Sequence, residues 1–474
     1  MPARTFTFLL LSAAALLAQA QNVLPPAVAQ ALAAAKIPAA SVAVVVQELG
    51  VHHEALNVNA KLPMNPASVM KLVTTYAALE LLGPAYRWRT EVYAGGALRE
   101  EVLHGDLFLK GYGDPKLTLE NFWLMLRDLR ERGVREIRGD LVLDRTHFEA
   151  REHDPARFDG EPLRPYNVGP DALLVNFKSV RFRFLPEPES GAVRIVPEPR
   201  LRPLEMISVL QLANGPCGDW REKIRADFQP AVAPQRGLRA IFSGVYPASC
   251  GERDWNVALF SHQDYVEALF RQLWEEMGGV WAGAARGGAV PADARLLLAH
   301  ESESLAEVVR DINKYSNNVM ARQLYLTLGA EFAGAPARPE TAFQAVRGLL
   351  ARKGMNFPEL VIENGSGLSR VDRISGQNML ALLVAAFRSA VMPEFVASLP
   401  LVAVDGTMRR RLKGEMVAGQ AHIKTGTLAD ARAVAGYLLD RSGRRHAVVM
   451  LVNHPNAAGS QPAMDALLRW VYDR

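Results

Sequence analysis

The sequence predicts an α+β protein in which an antiparallel sheet flanked by helices is interrupted by a large strand-rich insertion. A β-branched run at 41–49 is followed by a helix, which gives the first part of the plan. A mostly helical block at 304–399 precedes three apolar-rich runs and a final helix. Between about 91 and 254 the pattern changes to short strands and turns. This middle region is therefore predicted to be an insertion between the first strand and helix and the later helices and sheet.

The N-terminal strand and helix are marked by local signals. Residues 41–49 are rich in valine and lie between a proline and a glycine, which is typical of a buried strand. Asn65 followed by Pro66 indicates a helix start, because Asn caps free N–H groups and proline is preorganised for the first helical position. Gly83 indicates where this helix ends.

The C-terminal region has the pattern of a β-meander. Three apolar-rich runs, at 420–428, 432–440 and 446–453, are joined by short polar turns. Residues 461–472 then have apolar residues at helical spacing. We expect this last helix to pack on the sheet.

Length, charge and hydropathy exclude several classes of protein. The 474 residues are too many for one compact core, so two or more domains are expected. The net charge is +4 and the basic residues are scattered, which does not suggest nucleic-acid binding. Beyond the N-terminus no run approaches the roughly 20 apolar residues that a membrane span requires. No membrane span is therefore predicted.

Residues 1–20 have the pattern of a secretory signal peptide. Arg4 precedes an apolar run at 6–17, and Ala-Gln-Ala at 18–20 matches a cleavage site with small residues. The alternative is a buried N-terminal helix. Export permits a disulfide, and the chain has two cysteines, Cys217 and Cys250, which we expect to be paired. Two buried thiols are the alternative.

Metal and nucleotide chemistry are not indicated. The ten histidines are spread along the chain without a His-Glu-x-x-His motif, and no cysteine pair has the spacing of metal ligands. The chain contains no Gly-Lys dipeptide, which excludes a P-loop, and no Gly-x-Ser-x-Gly elbow. We therefore predict neither a metal nor a cofactor.

A serine and a lysine near the start of the first helix are the first candidate for catalysis. Ser68 and Lys71 are three residues apart, so their side chains share one helix face. A serine hydroxyl becomes a nucleophile when a base removes its proton, and lysine can be that base when burial or a nearby cation lowers its pKa. Alone, the pattern also fits an exposed serine beside a solvated lysine.

Two further polar clusters occur downstream. Ser316 and Asn318 lie where a helical pattern breaks, so their side chains can face a cleft, although a plain helix cap is the alternative.

On the first strand of the meander, Lys424 and Thr425 are suited to bind a carboxylate. Gly426, followed by Thr427, lets a substrate lie along the strand edge because it lacks a Cβ. The alternative for this cluster is an edge-strand lysine that deters aggregation.

Taken together and in this order, the three clusters resemble the motifs of the penicillin-recognising serine enzymes. Further stretches are similar to the class C low-molecular-mass penicillin-binding proteins, the D-alanyl-D-alanine carboxypeptidase/endopeptidase family. These stretches are Gly111-Tyr112-Gly113-Asp114-Pro115, Gly139-Asp140-Leu141-Val142-Leu143-Asp144, Pro165-Tyr166-Asn167, Asn364-Gly365-Ser366-Gly367-Leu368-Ser369-Arg370 and Asp405-Gly406-Thr407.

The resemblance implies a β-lactamase/transpeptidase-like domain, with an antiparallel sheet, helices on both faces and a helical subdomain. The long separation of Lys71 from Ser316 requires an inserted region, which in this family forms two nested domains. The expected boundaries are a signal peptide at 1–20, a peptidase domain at 21–92 and 255–474, and an insertion at 93–254. Within the insertion we expect an outer part at 93–165 and 245–254 and a nested part at 166–244.

The resemblance also implies a catalytic role for three side chains. Ser68 would be the acylated nucleophile, Lys71 its base, and Ser316 the relay that returns the proton to the leaving D-alanine. The backbone N–H groups of Ser68 and Thr427 would form the oxyanion hole. For Ser366, a structural turn is favoured over a cleft-lining role.

The remaining motif residues would bind substrate. Asn318 would bind the substrate amide, and Lys424 with Thr425 would hold its terminal carboxylate. Gly426 and Thr427 complete the expected substrate-binding residues.

The implied protein is a periplasmic D,D-peptidase that acts on peptidoglycan stem peptides, cleaves D-alanyl cross-links and is acylated by β-lactams. A β-lactamase or esterase is the alternative, because Tyr315 and Asn317 also fit a Tyr-x-Asn second motif. A non-catalytic wall-binding protein is a third possibility, which the complete set of motif residues disfavours.

Overall fold

The computed structural model describes residues 23–51, 54–231 and 237–474. The predicted signal peptide at 1–20 therefore lies outside the described residues. In the described part of the chain, no helix combines the length and apolar character needed to cross a bilayer.

The described chain contains both helices and strands, with a run of consecutive strands in its middle and a run of consecutive helices after it. The α-helices are α1 Pro26–Ala34, α2 Lys71–Leu82, α3 Leu119–Glu131, α4 His262–Glu276, α5 Leu305–Tyr315, α6 Asn318–Ala333, α7 Pro339–Arg352, α8 Gly376–Phe387, α9 Met392–Ser398 and α10 Gln461–Tyr472. The strands are β1 Val42–Glu48, β2 Glu54–Val58, β3 Pro63–Met64, β4 Arg89–Ala94, β5 Ala97–Arg99, β6 Val102–His104, β7 Leu107–Gly111, β8 Glu136–Ile137, β9 Leu141–Asp144, β10 Val180–Glu187, β11 Ala192–Glu198, β12 Leu204–Ala213, β13 Ile224–Pro230, β14 Leu238–Pro247, β15 Arg253–Val257, β16 Val280–Trp281, β17 Ala285–Gly287, β18 Arg295–Glu301, β19 Ile374–Ser375, β20 Ala421–Thr427, β21 Ala431–Leu439 and β22 Arg445–Asn453.

The chain divides into two compact units. The first combines the residues up to Arg87 with Glu303–Arg474, and the second is Trp88–Ser302. The insertion boundaries 93 and 254 stay a prediction, and the second unit contains this region and extends beyond it at both ends. The physical reason for this extension is strand pairing, because β16, β17 and β18 pair with β8, β9 and β4 from the start of the unit.

An antiparallel sheet with the order β2-β1-β22-β21-β20 organises the first unit. The predicted meander is present as β20, β21 and β22, and the predicted strand at 41–49 is β1. Side chains alternate between the two faces of a strand. Val44 and Val46 of β1 share a core with α1 and α10, whereas Val45 on the opposite face lies against Gly376 at the start of α8. Helices therefore cover both faces, as expected.

The helical part of the first unit packs around α2. Helices α5 and α6 both contact α2, and α7 and α9 pack on α6 and α5 respectively. Short strands β3 and β19 pair with each other beside this group. The start of α2 also contacts β20 and β21 through the turn Ala67–Met70, which brings the helical part to the edge strand of the sheet.

The second unit contains two smaller sheets and one six-stranded sheet. The smaller sheets have the orders β17-β9-β7-β4-β18 and β16-β8-β6-β5. The six-stranded sheet, with the order β13-β14-β12-β11-β10-β15, has a core of contacting aromatic rings, including Phe184, Phe242 and Tyr246. The subdivision of the insertion at 166–244 stays a prediction.

The predicted disulfide is confirmed. Cys217 and Cys250 are bonded across a sequence separation of 33 residues, with Cα atoms 4.8 Å apart. The bridge joins the segment after β12 to the turn before β15 and so closes one end of the six-stranded sheet.

Candidate active site

Ser68 lies on a tight turn that leads into α2. The Asn65 side chain accepts a hydrogen bond from the N–H of Ala67 at 2.9 Å, which satisfies one free donor at this helix start. Residues Ala67–Met70 form a single 3₁₀ turn, and the α-helix begins at Lys71. Ser68 therefore lies in the turn before the α-helix, whereas Asn65 as the helix cap predicted a position within the first helical turn. Its side chain is half-buried, whereas that of Lys71 is fully buried.

The Lys71 amine faces three oxygen atoms. Its Nζ lies 3.1 Å from Ser68 Oγ, 2.6 Å from Asn318 Oδ1 and 2.5 Å from the Ser366 carbonyl oxygen. The amide and carbonyl oxygens can only accept hydrogen bonds. A neutral amine has two N–H groups, so donating both to these acceptors points its lone pair at the Ser68 hydroxyl.

The second cluster is formed at the junction of α5 and α6. Ser316 ends α5 in the left-handed conformation, with φ 56°, and this sharp break turns its side chain away from the helix. Asn317 caps α6 by accepting from the N–H of Met320 at 3.1 Å. Asn318, one residue later, contacts Lys71, and Tyr315 is 67% exposed. This geometry favours Ser316 and Asn318 over the Tyr-x-Asn alternative.

Lys424 joins the third cluster to the second. It is fully buried, and its Nζ donates to Ser316 Oγ and to the Thr425 carbonyl oxygen, both at 2.8 Å. Thr425 is half-buried and Thr427 is exposed, on the edge strand β20. A Cβ on Gly426 would lie 2.6 Å from the Pro66 carbonyl oxygen, so glycine is required for β20 to approach the nucleophile turn.

Burial controls the ionisation of both lysines. It lowers the pKa of Lys71 well below that of an ordinary lysine, and the charges of Lys424 and Arg322 lower it further, while Asp372 opposes them. Burial alone lowers the pKa of Lys424 to about 7. The lowered pKa favours the neutral form of Lys71 beside Ser68, which is the state that a general base requires.

The sequence did not predict that the loop at residues 364–372 contributes a main-chain carbonyl to the site. The Ser366 carbonyl contacts Lys71, whereas its own side chain is buried in a local turn, accepting from the Leu368 N–H and bonding Asn364 Oδ1 at 2.6 Å. This loop carries one of the stretches that resemble the family, which was the signal available in the sequence. That resemblance did not indicate that a main-chain carbonyl of the loop would contact Lys71.

Thr407 was also missed. Its hydroxyl lies 2.9 Å from that of Thr425, on the exposed side of β20. Asp405, two residues earlier, is held by Lys314 at 2.6 Å and by the Leu401 N–H at 2.8 Å. The Asp405-Gly406-Thr407 stretch thus anchors a turn on the end of α5 that brings a second hydroxyl beside Thr425.

Among the described residues, no group of three or more His, Cys, Asp or Glu side chains is arranged to hold a metal ion. The arrangement of nucleophile, buried amine and second hydroxyl is instead suited to acyl transfer by a serine.

Comparisons with known proteins agree with this chemistry. The sequence profile described as "D-Ala-D-Ala carboxypeptidase 3 (S13) family" matches residues 24–473. The D-alanyl-D-alanine carboxypeptidase of Actinomadura sp. (strain R39) is 30% identical over 398 residues, which cover 79% of this chain and 70% of that protein.

Solved structures share the fold. Penicillin-binding protein 4 (DacB) of Haemophilus influenzae matches with a TM-score of 0.78 and 21% identity, over 94% of this chain and 99% of that one, and it has also been solved with a β-lactam. Bd3459, a predatory peptidoglycan endopeptidase of Bdellovibrio bacteriovorus, matches with a TM-score of 0.52 and 14% identity over 90% of each chain. The predicted α+β fold with its insertion is confirmed.

Proposed function

The chain belongs to the D-Ala-D-Ala carboxypeptidase 3 (S13) family, and from this premise we propose that it releases the terminal D-alanine of peptidoglycan stem peptides through an acyl-enzyme on Ser68. It is a serine-type D-Ala-D-Ala carboxypeptidase of the class C low-molecular-mass penicillin-binding proteins. The observation that carries the mechanism is the 3.1 Å contact between Ser68 Oγ and the buried Lys71 amine.

Acylation begins with proton transfer from Ser68 to Lys71. The Ser68 Oγ attacks the carbonyl carbon of the penultimate D-alanine while its proton moves to Nζ of Lys71. The negative oxygen of the tetrahedral intermediate accepts hydrogen bonds from the N–H groups of Ser68 and Thr427. Both donors lie near the contact of β20 with the nucleophile turn.

The intermediate then expels D-alanine. The C–N bond breaks, and the leaving nitrogen takes a proton from Ser316, which is resupplied by Lys424 at 2.8 Å. With a pKa of about 7, Lys424 exchanges this proton at little cost near neutral pH. Before deacylation, Lys71 gives the proton taken from Ser68 to solvent and Lys424 takes one up, which restores the neutral base and the protonated relay. Water then attacks the Ser68 ester and gives a proton to Lys71, which passes it to Ser68 Oγ as the shortened peptide is released.

Substrate binding uses the open edge of the sheet. An extended peptide adds to β20 as a further strand. Lys424 and the Thr425 hydroxyl hold the terminal carboxylate. The Asn318 oxygen is occupied by Lys71, so its Nδ2 is the group oriented to donate to a substrate carbonyl.

A β-lactam acylates Ser68 by the same attack. Its amide nitrogen stays attached through the second ring, so no leaving group departs, and the acyl-enzyme persists. The solved complex of H. influenzae penicillin-binding protein 4 with a β-lactam supports this part of the proposal.

The proposal extends to D-alanyl cross-links. There the leaving group is the amine of a neighbouring stem peptide instead of free D-alanine, and the chemistry at Ser68 is unchanged. The name of Bd3459, a peptidoglycan endopeptidase with this fold, supports the extension. We also propose export to the periplasm through the predicted signal peptide, because the substrate lies there.

Intact-mass measurement with benzylpenicillin tests the acyl-enzyme. Wild-type protein is expected to gain the mass of one penicillin and Ser68→Ala to gain none. Digestion of purified muropeptides separates the products, since carboxypeptidase action releases D-alanine and endopeptidase action converts dimers to monomers. Rapid turnover of a chromogenic cephalosporin without accumulation of the adduct would instead identify a β-lactamase.

A further inference from the structure

A loop spanning residues 364–372 is bonded to the nucleophile segment at several points. Three side chains donate to its main-chain carbonyls: Lys71 to Ser366 at 2.5 Å, Thr74 to Gly365 at 2.7 Å and Asn65 to Ser369 at 2.8 Å. Gly367 has φ +75°, and a Cβ there would lie 2.0 Å from the Ala67 carbonyl oxygen. The loop is therefore a fixed wall of the site.

Asp372 ends this loop and is completely buried. Its Oδ1 accepts from the Glu363 N–H at 2.8 Å, and its own N–H donates to Ser369 Oγ at 3.2 Å. Within the described residues, Oδ2 has no hydrogen-bond partner. A buried carboxylate oxygen without a donor is costly to folding, and the reaction steps above give it no role.

Asp372 interacts with one cation, Lys71, and with one anion, Glu363. Lys71 interacts with the cations Lys424 and Arg322 and with Asp372 as the opposing anion. Glu363 is the other carboxylate near Asp372, and it also interacts with Arg322.

Tyr325 faces the same region, since a Cβ on Gly365 would lie 2.5 Å from its Cβ. Burial raises the pKa of Tyr325, and the Asp372 charge raises it further. Burial and Glu363 raise the pKa of Asp372, while its hydrogen bonds and Lys71 lower it, leaving a pKa of about 6. The carboxylate is therefore ionised at pH 7.

We propose that Asp372 is a positioning residue for acylation: its buried carboxylate supplies the charge that lets Lys71 hold the proton taken from Ser68. The inference rests on the proposed function and deepens it. Burial and two neighbouring cations make Lys71 easy to keep neutral but a weak base. Asp372 returns part of the lost basicity, because it stabilises the lysine cation that forms as Ser68 attacks.

Removal of the Asp372 charge changes the pKa of Lys71 in a defined direction. Without the Asp372 charge, the pKa of Lys71 falls further, so Lys71 is neutral at lower pH but accepts a proton less readily. The acid limb is the pH range in which the acylation rate falls as Lys71 becomes protonated. Asp372 is itself protonated below about pH 6, so the limb moves to lower pH in the variant where the wild-type limb lies above that value. The plateau rate falls about threefold or more, because general-base efficiency follows basicity.

The test measures acylation by a fluorescent penicillin from pH 4 to pH 9 in the wild type and in Asp372→Asn. The expected result is the lower plateau, together with the downward shift of the acid limb where the wild-type limb lies above about pH 6. Asp372→Glu keeps the charge and is expected to restore the wild-type plateau. Should Asp372→Asn fail to fold, the smaller neutral variant Asp372→Ser is measured for the same loss of plateau rate.

Asp440→Asn is the matched control. Asp440 is a buried aspartate of the same unit, and its carboxylate accepts from Arg444 and contacts His446. Its distance from the site follows from Ala435, which lies five residues before it and pairs with Lys424. Five strand residues separate it from the site by about 17 Å. This variant is expected to lose thermal stability without lowering the plateau rate.

Two outcomes overturn the inference: a wild-type plateau rate in a folded Asp372→Asn, or equal losses of plateau rate in Asp372→Asn and Asp440→Asn. Failure of the proposed function looks different, because the wild type itself would then remain unlabelled.

Discussion

Replacing Lys424 with methionine is expected to stabilise the protein while abolishing its activity. Lys424 is fully buried, and burial lowers its pKa from 10.5 to about 7. The unfolded chain therefore holds this proton up to about pH 10.5, whereas the folded chain releases it near pH 7. Between these values the unfolded state binds more protons, so stability rises with pH, and below pH 7 the full penalty is present.

The magnitude follows from the difference in pKa. A difference of roughly 3.5 pH units corresponds to about 5 kcal/mol at pH 7 or below. Methionine is similar in length and removes this cost, but it leaves Ser316 Oγ and the Thr425 carbonyl without the Lys424 donor, at about 1 kcal/mol each. The net expectation is about 3 kcal/mol of added stability at pH 7.

Thermal and urea unfolding of wild type and Lys424→Met from pH 7 to pH 9.5 provide the measurement. Over this range the wild-type stability is expected to rise more steeply, by the contribution of one proton, about 1.4 kcal/mol per pH unit. Penicillin labelling and D-alanine release are expected to be lost in the variant. Lower stability of Lys424→Met at pH 7, or parallel pH profiles, would refute the reasoning.

Three further changes test the site and the insertion. Ser316→Ala is expected to reduce D-alanine release by roughly 10² to 10⁴-fold, because a proton relay is lost. Tyr315→Phe is expected to reduce D-alanine release only slightly, and a larger loss for this variant would favour the Tyr-x-Asn alternative. Thr407→Val is expected to raise KM for a D-Ala-D-Ala peptide with little change in kcat, and Thr407→Ser to restore it; an unchanged KM would remove Thr407 from the carboxylate site. Replacing Cys217 and Cys250 with serine is expected to cost about 3 to 4 kcal/mol of stability without slowing penicillin acylation, and unaltered unfolding would contradict this.

Elements with strong local signals were predictable from the sequence. The meander and the helix Gln461–Tyr472 have clear periodicity, and both are present with boundaries within two residues of those expected. The end of the second unit was not predictable in the same way. β16 and β17 have two and three residues, and each pairs with a strand more than one hundred residues earlier in the chain, so no local pattern marks them.

The same distinction applies within the candidate site. Ser68, Lys71 and Lys424 act through their side chains, so a spacing of residue types indicates them. Ser366 contributes a main-chain carbonyl, which every residue possesses, and only the folded loop selects this one. Asp372 is a single carboxylate in the sequence, and its significance comes from its burial and its interaction with Lys71, which only folding produces.

Two glycines determine how closely the parts of the site assemble around Ser68. Gly426 brings β20 against the Pro66 carbonyl, and Gly367 brings the 364–372 loop against the Ala67 carbonyl. Any side chain at either position would collide with the nucleophile turn, so both contacts depend on the missing Cβ. Ser68 is thus held from one side by the strand that carries Lys424 and from the other by the loop that bonds Lys71. The nucleophile, its base and the proton relay are therefore fixed relative to one another before substrate binds, which is the preorganisation that acyl transfer requires.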